Sequence, residues 1–243
     1  MLAKLKQIIR NQLYGYHADS DSYIRYLREN GARIGERVCL FDPQNTHIDV
    51  TRPWMLSIGD DVQITTGVTI LTHGYDWSVI KGVYGPVLGS CGNVSIGNNC
   101  FIGMHATILK GTQIGDNCII GANSLVNHNI ASGWVAAGNP ARPIMTVEEY
   151  YKKRQNAQLR EAEDLYHCYK RQMHQEPPAD VFDEFFWLFQ KRGQKRTEGA
   201  EAKMHLLANY ETSEKLFQKT EPVFDGYDAF LEYLRSKSQT TNQ

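Results

Sequence analysis

No stretch of the 243-residue chain approaches the ~20 uninterrupted apolar residues that a membrane-spanning helix needs. The opening run, MLAKLKQIIRNQLYGYH, interleaves charged and apolar residues too closely for a signal-peptide core. An excess of one charge is also missing: 26 Lys and Arg stand against 27 Asp and Glu. No basic stripe marks a nucleic-acid footprint, so no nucleic-acid partner is expected. Cysteine is scarce, and the residues present (Cys39, Cys91, Cys100, Cys118 and Cys168) are odd in number and form no CxxC pair. That excludes a disulfide framework and a zinc knuckle, and points to reduced thiols in a cytoplasmic protein. What remains, 42% hydrophobic and 22% charged residues, is a globular composition with room for a sizeable core.

The positive signal is a repeat. From residue 96 an aliphatic side chain recurs at every sixth position: Ile96, Ile102, Ile108, Ile114, Ile120 and Val126. Gly97, Gly103, Gly115 and Gly121 follow four of them, and four residues after the aliphatic come Cys100, Ala106, Thr112, Cys118 and Ser124. The same register holds at Ile58, Ile64 and Ile70, and stepping back by sixes reaches Arg52, Thr46, Leu40 and Ile34. An amphipathic helix needs a spacing of 3.6 and a half-buried strand a spacing of two. A period of six fits short strands joined by turns, each unit forming one flat side of a prism. Three units make a coil of about 18 residues. Coils stacked roughly 4.8 Å apart pair their backbones with the coils on either side.

Between Ile70 and Ile96 the register breaks, leaving residues 76–95 (DWSVIKGVYGPVLGSCGNVS) as an extra segment. Insertions in a solenoid emerge as loops on one side, and such loops tend to carry function. The flanks change character. Residues 1–31 read as two short helices ending at Gly31, with Ser20 as an N-cap. VAAGNPARPI reads as an exit loop whose prolines cannot continue a ladder. From Val147 a long amphipathic helix begins, Phe182, Phe185, Phe186 and Phe189 carry helical spacing, and a last helix surrounds Tyr227, Phe230, Leu231 and Leu234. The expected organisation is an N-terminal helical segment (1–33), a parallel β-helix domain (34–145) with a protruding loop at 76–95, and a C-terminal helical extension (146–243).

The run ILTHGYDW, the loop, and IGNNCFIGMHATILKGTQIGDNCIIGANSLVNHNIASGWVAAGNPAR resemble the hexapeptide-repeat acetyltransferases, above all the galactoside, maltose and capsular-polysaccharide O-acetyltransferases. The resemblance covers roughly residues 34–145, and V-A-A-G-N-P-A-R is its most specific signature. It implies a left-handed β-helix, a homotrimer, and acetyl transfer from acetyl-CoA to a hydroxyl of a sugar or polysaccharide. His73 takes the place of the family's catalytic base. An imidazole suits that role because its unperturbed pKa of about 6.5 lies near working pH. A backbone N–H of an adjoining coil is the expected donor to the developing oxyanion.

The resemblance carries further roles. The acceptor-positioning asparagine falls at Asn45, which reads equally as an ordinary Asx turn. Tyr75, Asp76 and Trp77 follow His73 closely enough to shape a sugar pocket, and Asp76 or a backbone carbonyl could orient the imidazole. Phe101, Met104, Ala122 and Asn127 match the coenzyme groove between adjacent solenoids; as plain residues they read as outward positions at a subunit interface. Relatives often read V-T-K-D-I-P near the last hexad, with the lysine beside the coenzyme phosphates. This chain reads VNHNIA, so His128 replaces that lysine and Arg142 is the expected phosphate ligand. Two alternatives share the architecture. A metal-binding solenoid of the γ-carbonic anhydrase type needs three histidines, two of them five apart, and no such pair occurs among His17, His47, His73, His105, His128, His167, His174 and His205, so no metal is expected. A non-enzymatic scaffold would have no use for an intact His73 and Arg142.

Overall fold

The six-residue period becomes three flat faces in the computed structural model, which describes residue 10 and residues 12–240. The chain divides into two compact units, Met1–Tyr150 and Tyr151–Gln243. In the first, the first face stacks Arg33–Ile34, Leu56–Ile58, Val94–Ile96 and Gln113–Ile114. The second stacks Cys39–Leu40, Gln63–Ile64, Phe101–Ile102, Ile119–Ile120, Trp134–Gly138 and Ala141–Thr146. The third stacks His47–Ile48, Thr69–Ile70, Thr107–Ile108 and Leu125–Val126. All neighbours are parallel and in register except the last two strands of the second face, which form an antiparallel hairpin.

The hexad positions explain this packing. The recurring aliphatics point inward, and Ile64, Ile70, Ile102, Ile108, Ile120 and Val126 are fully buried. The small residues four positions on (Val62, Val68, Cys100, Ala106, Cys118) fill the narrower corners and are buried too. Glycine follows the aliphatic because coils nearly touch there. A Cβ on Gly97 would lie 2.7 Å from the backbone of Gly115 and Asp116. At the edge between the first and second faces, Arg37, Asp61, Asn99 and Asn117 adopt positive φ, a left-handed turn that Asn and Asp tolerate best. Asn99 Nδ2 donates to Asn117 Oδ1 at 2.8 Å, so one coil's corner braces the next.

The early coils correct the sequence reading. Ile34 pairs with Ile58 and Leu40 with Ile64, but the third-face residue is Ile48, in register with Ile70. Thr46 and Arg52 are therefore not hexad positions. Two longer units, Leu40 to Ile48 and Ile48 to Ile58, stand where three hexads were expected. Their combined length is a whole number of sixes, which preserved the phase and hid the insertions.

The first coil would expose a row of unpaired backbone groups, and the helix Ser20–Glu29 covers them. Ser20 Oγ accepts from Leu40 N at 2.9 Å, Tyr23 Oη accepts from Ile48 N at 3.1 Å, and Arg28 Nε donates to Ile34 O at 3.0 Å. One side chain thus serves each face. Ser20 is not the N-cap; Asp19 is, its Oδ1 accepting from Ser22 N. Tyr23, Ile24 and Leu27 join the solenoid core, and burial pushes the Tyr23 hydroxyl up to about 12. The first of the two expected N-terminal helices falls largely on residues 1–9 and 11, outside the described residues. At the other end the expected exit loop is instead the hairpin Trp134–Gly138 and Ala141–Thr146. Pro143 is tolerated because its strand is the edge of the face.

The 76–95 segment contains a helix, Trp77–Tyr84, with no buried residue. Its ends are gathered by a short antiparallel ribbon in which His73 faces Cys91 and Gly74 faces Ser90.

The second unit has its own aromatic core, centred on Tyr166, Phe182, Phe217 and Phe230. The helix Val147–Met173 forms as expected, and so does Tyr227–Thr240. Phe182 to Phe189 do not form an α-helix. The chain closes with i→i+3 bonds from Phe185 N to Phe182 O and from Leu188 N to Phe185 O. Two further helices, Glu198–Met204 and Tyr210–Lys219, lie between the phenylalanine-rich stretch and the last helix.

Two outcomes follow. Tyr23→Phe leaves Ile48 N–H without its acceptor and should cost ~1–3 kcal/mol in urea unfolding; an unchanged midpoint would remove Tyr23 as a cap of the first coil. Cys100 and Cys118, buried one above the other, should react slowly with a thiol reagent in the native state, while the exposed Cys91 and Cys168 react fast. The neighbouring Cys118 and burial both push the Cys100 thiol up.

Candidate active site

The edge between the third face and the first gathers the candidate site. After the in-register residues Ile48, Ile70, Ile108 and Val126, each coil turns through this edge. In chain order it presents Asp49 and Thr51, then His73 with the helix-bearing excursion, then Lys110, then Asn127 and His128. Stacking therefore lines up residues from four coils that are far apart in sequence.

Asp49 is the anchor. Its side chain is only 3% exposed, while that of His73 is 25% exposed. His73 Nδ1 lies 2.5 Å from Asp49 Oδ2. The same oxygen accepts from Thr72 N at 3.1 Å and Thr72 Oγ1 at 2.5 Å. The other oxygen accepts from Thr51 N at 3.0 Å and Thr51 Oγ1 at 2.7 Å. Burial alone would raise the carboxyl pKa, but hydrogen bonds from Thr72, Thr51 and His73 outweigh it and hold the group well below the usual carboxylate range. An ionised carboxylate only accepts, so His73 Nδ1 carries the proton and Nε2 keeps its lone pair. A half-exposed imidazole with a free Nε2 and a buried carboxylate behind it can take a proton from a hydroxyl.

Asp76 therefore does not orient the imidazole. It opens the helix Trp77–Tyr84, and its Oδ1 would lie 2.5 Å from a Cβ placed on Gly74. Tyr75 is exposed and its ring lies 4.9 Å from that of Trp77, so an aromatic pair stands directly after His73. Asn45 is exposed, four residues before Asp49, and its Nδ2 donates to Asp42 Oδ2 at 2.8 Å.

The expected coenzyme residues fall into two groups. Asn127, His128 and Arg142 come together: His128 Nδ1 lies 2.8 Å from Asn127 Oδ1, and Arg142 Nη1 lies 3.0 Å and 3.1 Å from the two ring nitrogens of His128. This cluster lies on the His73 edge, two coils further along. Phe101, Met104 and Ala122 are exposed elsewhere, on the second face and the edge that follows it. A single chain thus places the two groups on different edges of the prism.

Sequence reasoning missed Asp49, Thr51 and Lys110. Asp49 was hidden by the two long units of the first coil. Its signal is visible once Ile48 is the hexad residue, since Asp49 and Thr51 then begin the same corner that His73 ends. Among the described residues no group of three or more His, Cys, Asp or Glu side chains could hold a metal ion, and no helix is long and apolar enough to cross a membrane.

The chain is similar to known proteins. Residues 93–128 match the family model described as bacterial transferase hexapeptide (six repeats). The chain is 34% identical over 127 residues to protein CapG of Staphylococcus aureus, covering 52% of this chain and 73% of CapG. It is 34% identical over 113 residues to the galactoside O-acetyltransferase of Escherichia coli K12, covering 45% of this chain and 55% of that enzyme, so it spans about half the length of the latter. A solved galactoside acetyltransferase in complex with coenzyme A aligns at 27% identity with a TM-score of 0.41, covering 61% of this chain and 84% of that one.

Replacing Asp49 with Asn should lower turnover by about 10²-fold or more, because the amide favours the wrong histidine tautomer. Its stability effect has a defined sign. The folded pKa is depressed, so the carboxylate's contribution is complete above the unfolded value of about 3.9 and is lost as pH falls through the folded value. Urea midpoints of wild type and Asp49→Asn should converge on acidification below about pH 4. A constant difference from pH 6 to pH 2 would contradict the assignment.

Proposed function

Because the chain belongs to the bacterial hexapeptide-repeat transferases, we propose that it is an acetyl-CoA-dependent O-acetyltransferase acting on a hydroxyl of a sugar or polysaccharide. The observation that carries this reading is the Asp49–His73 couple on the same prism edge as the Asn127–His128–Arg142 cluster. Acetyl-CoA supplies the acetyl group as a thioester. His73 Nε2 removes the acceptor hydroxyl's proton as that oxygen attacks, and Asp49 stabilises the imidazolium that forms without itself being protonated. Tyr75 and Trp77 offer an aromatic face against which the apolar side of a sugar packs.

The residues fit the coenzyme. Arg142 brings a bidentate donor and His128 a second nitrogen donor, a pairing suited to phosphate oxygens. Phe101, Met104 and Ala122 fit the pantetheine arm, but they lie on another edge. The two groups form one groove only when an edge of one solenoid meets a face of its neighbour. We therefore read the working unit as a homotrimer with a shared site, and the solenoid as left-handed like those of its family. In this reading residues 34–145 are the acyltransferase domain, the excursion 76–95 walls the acceptor site, and residues 146–243 are an extension. A cytoplasmic setting keeps the exposed Cys91 and Cys168 reduced.

His73→Ala should cut turnover by about 10²- to 10⁴-fold while CoA affinity stays within a few-fold; near-normal turnover with a good acceptor would show that another group is the base. Arg142→Ala should raise KM for acetyl-CoA more than it lowers kcat. Light scattering that reports an active monomer would sink the shared groove.

A further inference from the structure

Two cations bracket the catalytic pair from the coils on either side, and among the described residues neither has a hydrogen-bond or ion-pair partner. On the earlier coil, continuing the Ile48–Ile70 register brings Thr51 level with His73 and Arg52 level with Gly74. The contact of 3.4 Å between Thr51 Oγ1 and His73 Nδ1 bears out that alignment. On the later coil, Lys110 follows Ile108, which is in register with Ile70. Its Cε would lie 3.3 Å from a Cβ on Gly74, so the ammonium stands beside the residue next to His73.

Both side chains are half-buried, and among the described residues neither makes an ion pair or a hydrogen bond. Arg52 Nη1 is fully buried without an acceptor. Several other arginines meet acids: Arg28 with Glu36, Arg37 with Asp61, Arg154 with Glu161, Arg196 with Glu201 and Glu214. The acids near the base do not play that part for Arg52 and Lys110. Asp49 is filled by Thr51, Thr72 and His73. Asp76 sits against Gly74 without pairing with Lys110. A half-buried cation left unpaired is costly, and an orphaned donor points to an acceptor that arrives with a ligand.

We propose that Arg52 and Lys110 are specificity residues that recognise an anionic group on the acceptor, a carboxylate or a phosphate, on the same sugar as the hydroxyl that is acetylated. The inference rests on the acetyltransferase reading of the His73 site and narrows it to acidic sugars. Arg52 and Lys110 come from the coils adjoining that of the base, and neighbouring coils stack roughly 4.8 Å apart, so the anion and the reacting hydroxyl belong to one monosaccharide. A guanidinium and an ammonium accept either anion, the first by a planar fork and the second as a point charge.

Acetyl transfer to matched acceptors tests this: methyl galactoside, methyl galacturonide and galactose 6-phosphate, with the gluco series alongside. The wild type should favour an acidic acceptor over its neutral counterpart by at least about tenfold in kcat/KM, the worth of a hydrogen bond to a charged group. Whether galacturonide or phosphate leads identifies the anion. Arg52→Met and Lys110→Met should each raise KM for the acidic acceptor and lower the acid-to-neutral ratio by on the order of tenfold. Arg52→Lys and Lys110→Arg should keep most of it. Thermal unfolding checks that each variant folds, and if Arg52→Met does not, Lys110→Met alone decides. A neutral acceptor used equally well, or a ratio that survives Lys110→Met, overturns the inference and leaves the acetyltransferase reading standing. No transfer to any acceptor of either charge contradicts that reading, and the inference with it.

Discussion

The in-register stacking of the third face, Ile48 on Ile70 on Ile108 on Val126, is the constraint on which the site depends. Inward-pointing aliphatics buried along one line fix where each coil begins its turn into the next face. A slip of one residue would turn an aliphatic to solvent and an outward residue to the core. Because the register holds, the turn after Ile48 delivers Asp49 to the same edge at which the turn after Ile70 delivers His73. A carboxylate and an imidazole 24 residues apart in sequence then meet at hydrogen-bond distance. The helix that caps the first coil through Ser20, Tyr23 and Arg28 has a functional consequence, since that coil is the one carrying Asp49.

Much of the fold was legible because its cause is periodic. Six-residue spacing of aliphatics cannot be read as a helix or a simple strand, and the inward positions from Ile58 to Val126 are those the spacing named. The first coil was misread for an arithmetic reason: its two long units keep the phase of six, so only a pairing partner distinguishes Ile48 from Thr46. That error concealed Asp49 and left Asp76, close to His73 in sequence, or a backbone carbonyl as the candidate orienting groups. His73 itself was visible through its place before the excursion. The short helix inside the excursion was not, because Gly82, Gly85 and Pro86 read as loop residues. In the second unit, helical spacing of phenylalanines described which side chains share a core but not the backbone that presents them.

The electrostatics of the site follow from the same stacking. Asp49 is buried and ionised, a state that costs free energy unless donors surround it. Thr51 and Thr72 supply backbone and hydroxyl donors from two coils, and His73 supplies the last. Those bonds do two things: they hold the carboxylate in its charged form and they leave it one fixed direction in which to hold the imidazole. His73 is thus oriented by the core rather than by the exposed loop that follows it.

The central claim is the orientation and tautomer of His73, and ring-labelled histidine read by ¹⁵N NMR tests it most directly, with the His73→Ala variant assigning the signal. At a pH where the ring is neutral, the account predicts a protonated Nδ1 held by Asp49 and an unprotonated Nε2 facing solvent, with that preference lost in Asp49→Asn. A proton found on Nε2, or a tautomer equilibrium that ignores Asp49, would contradict the account.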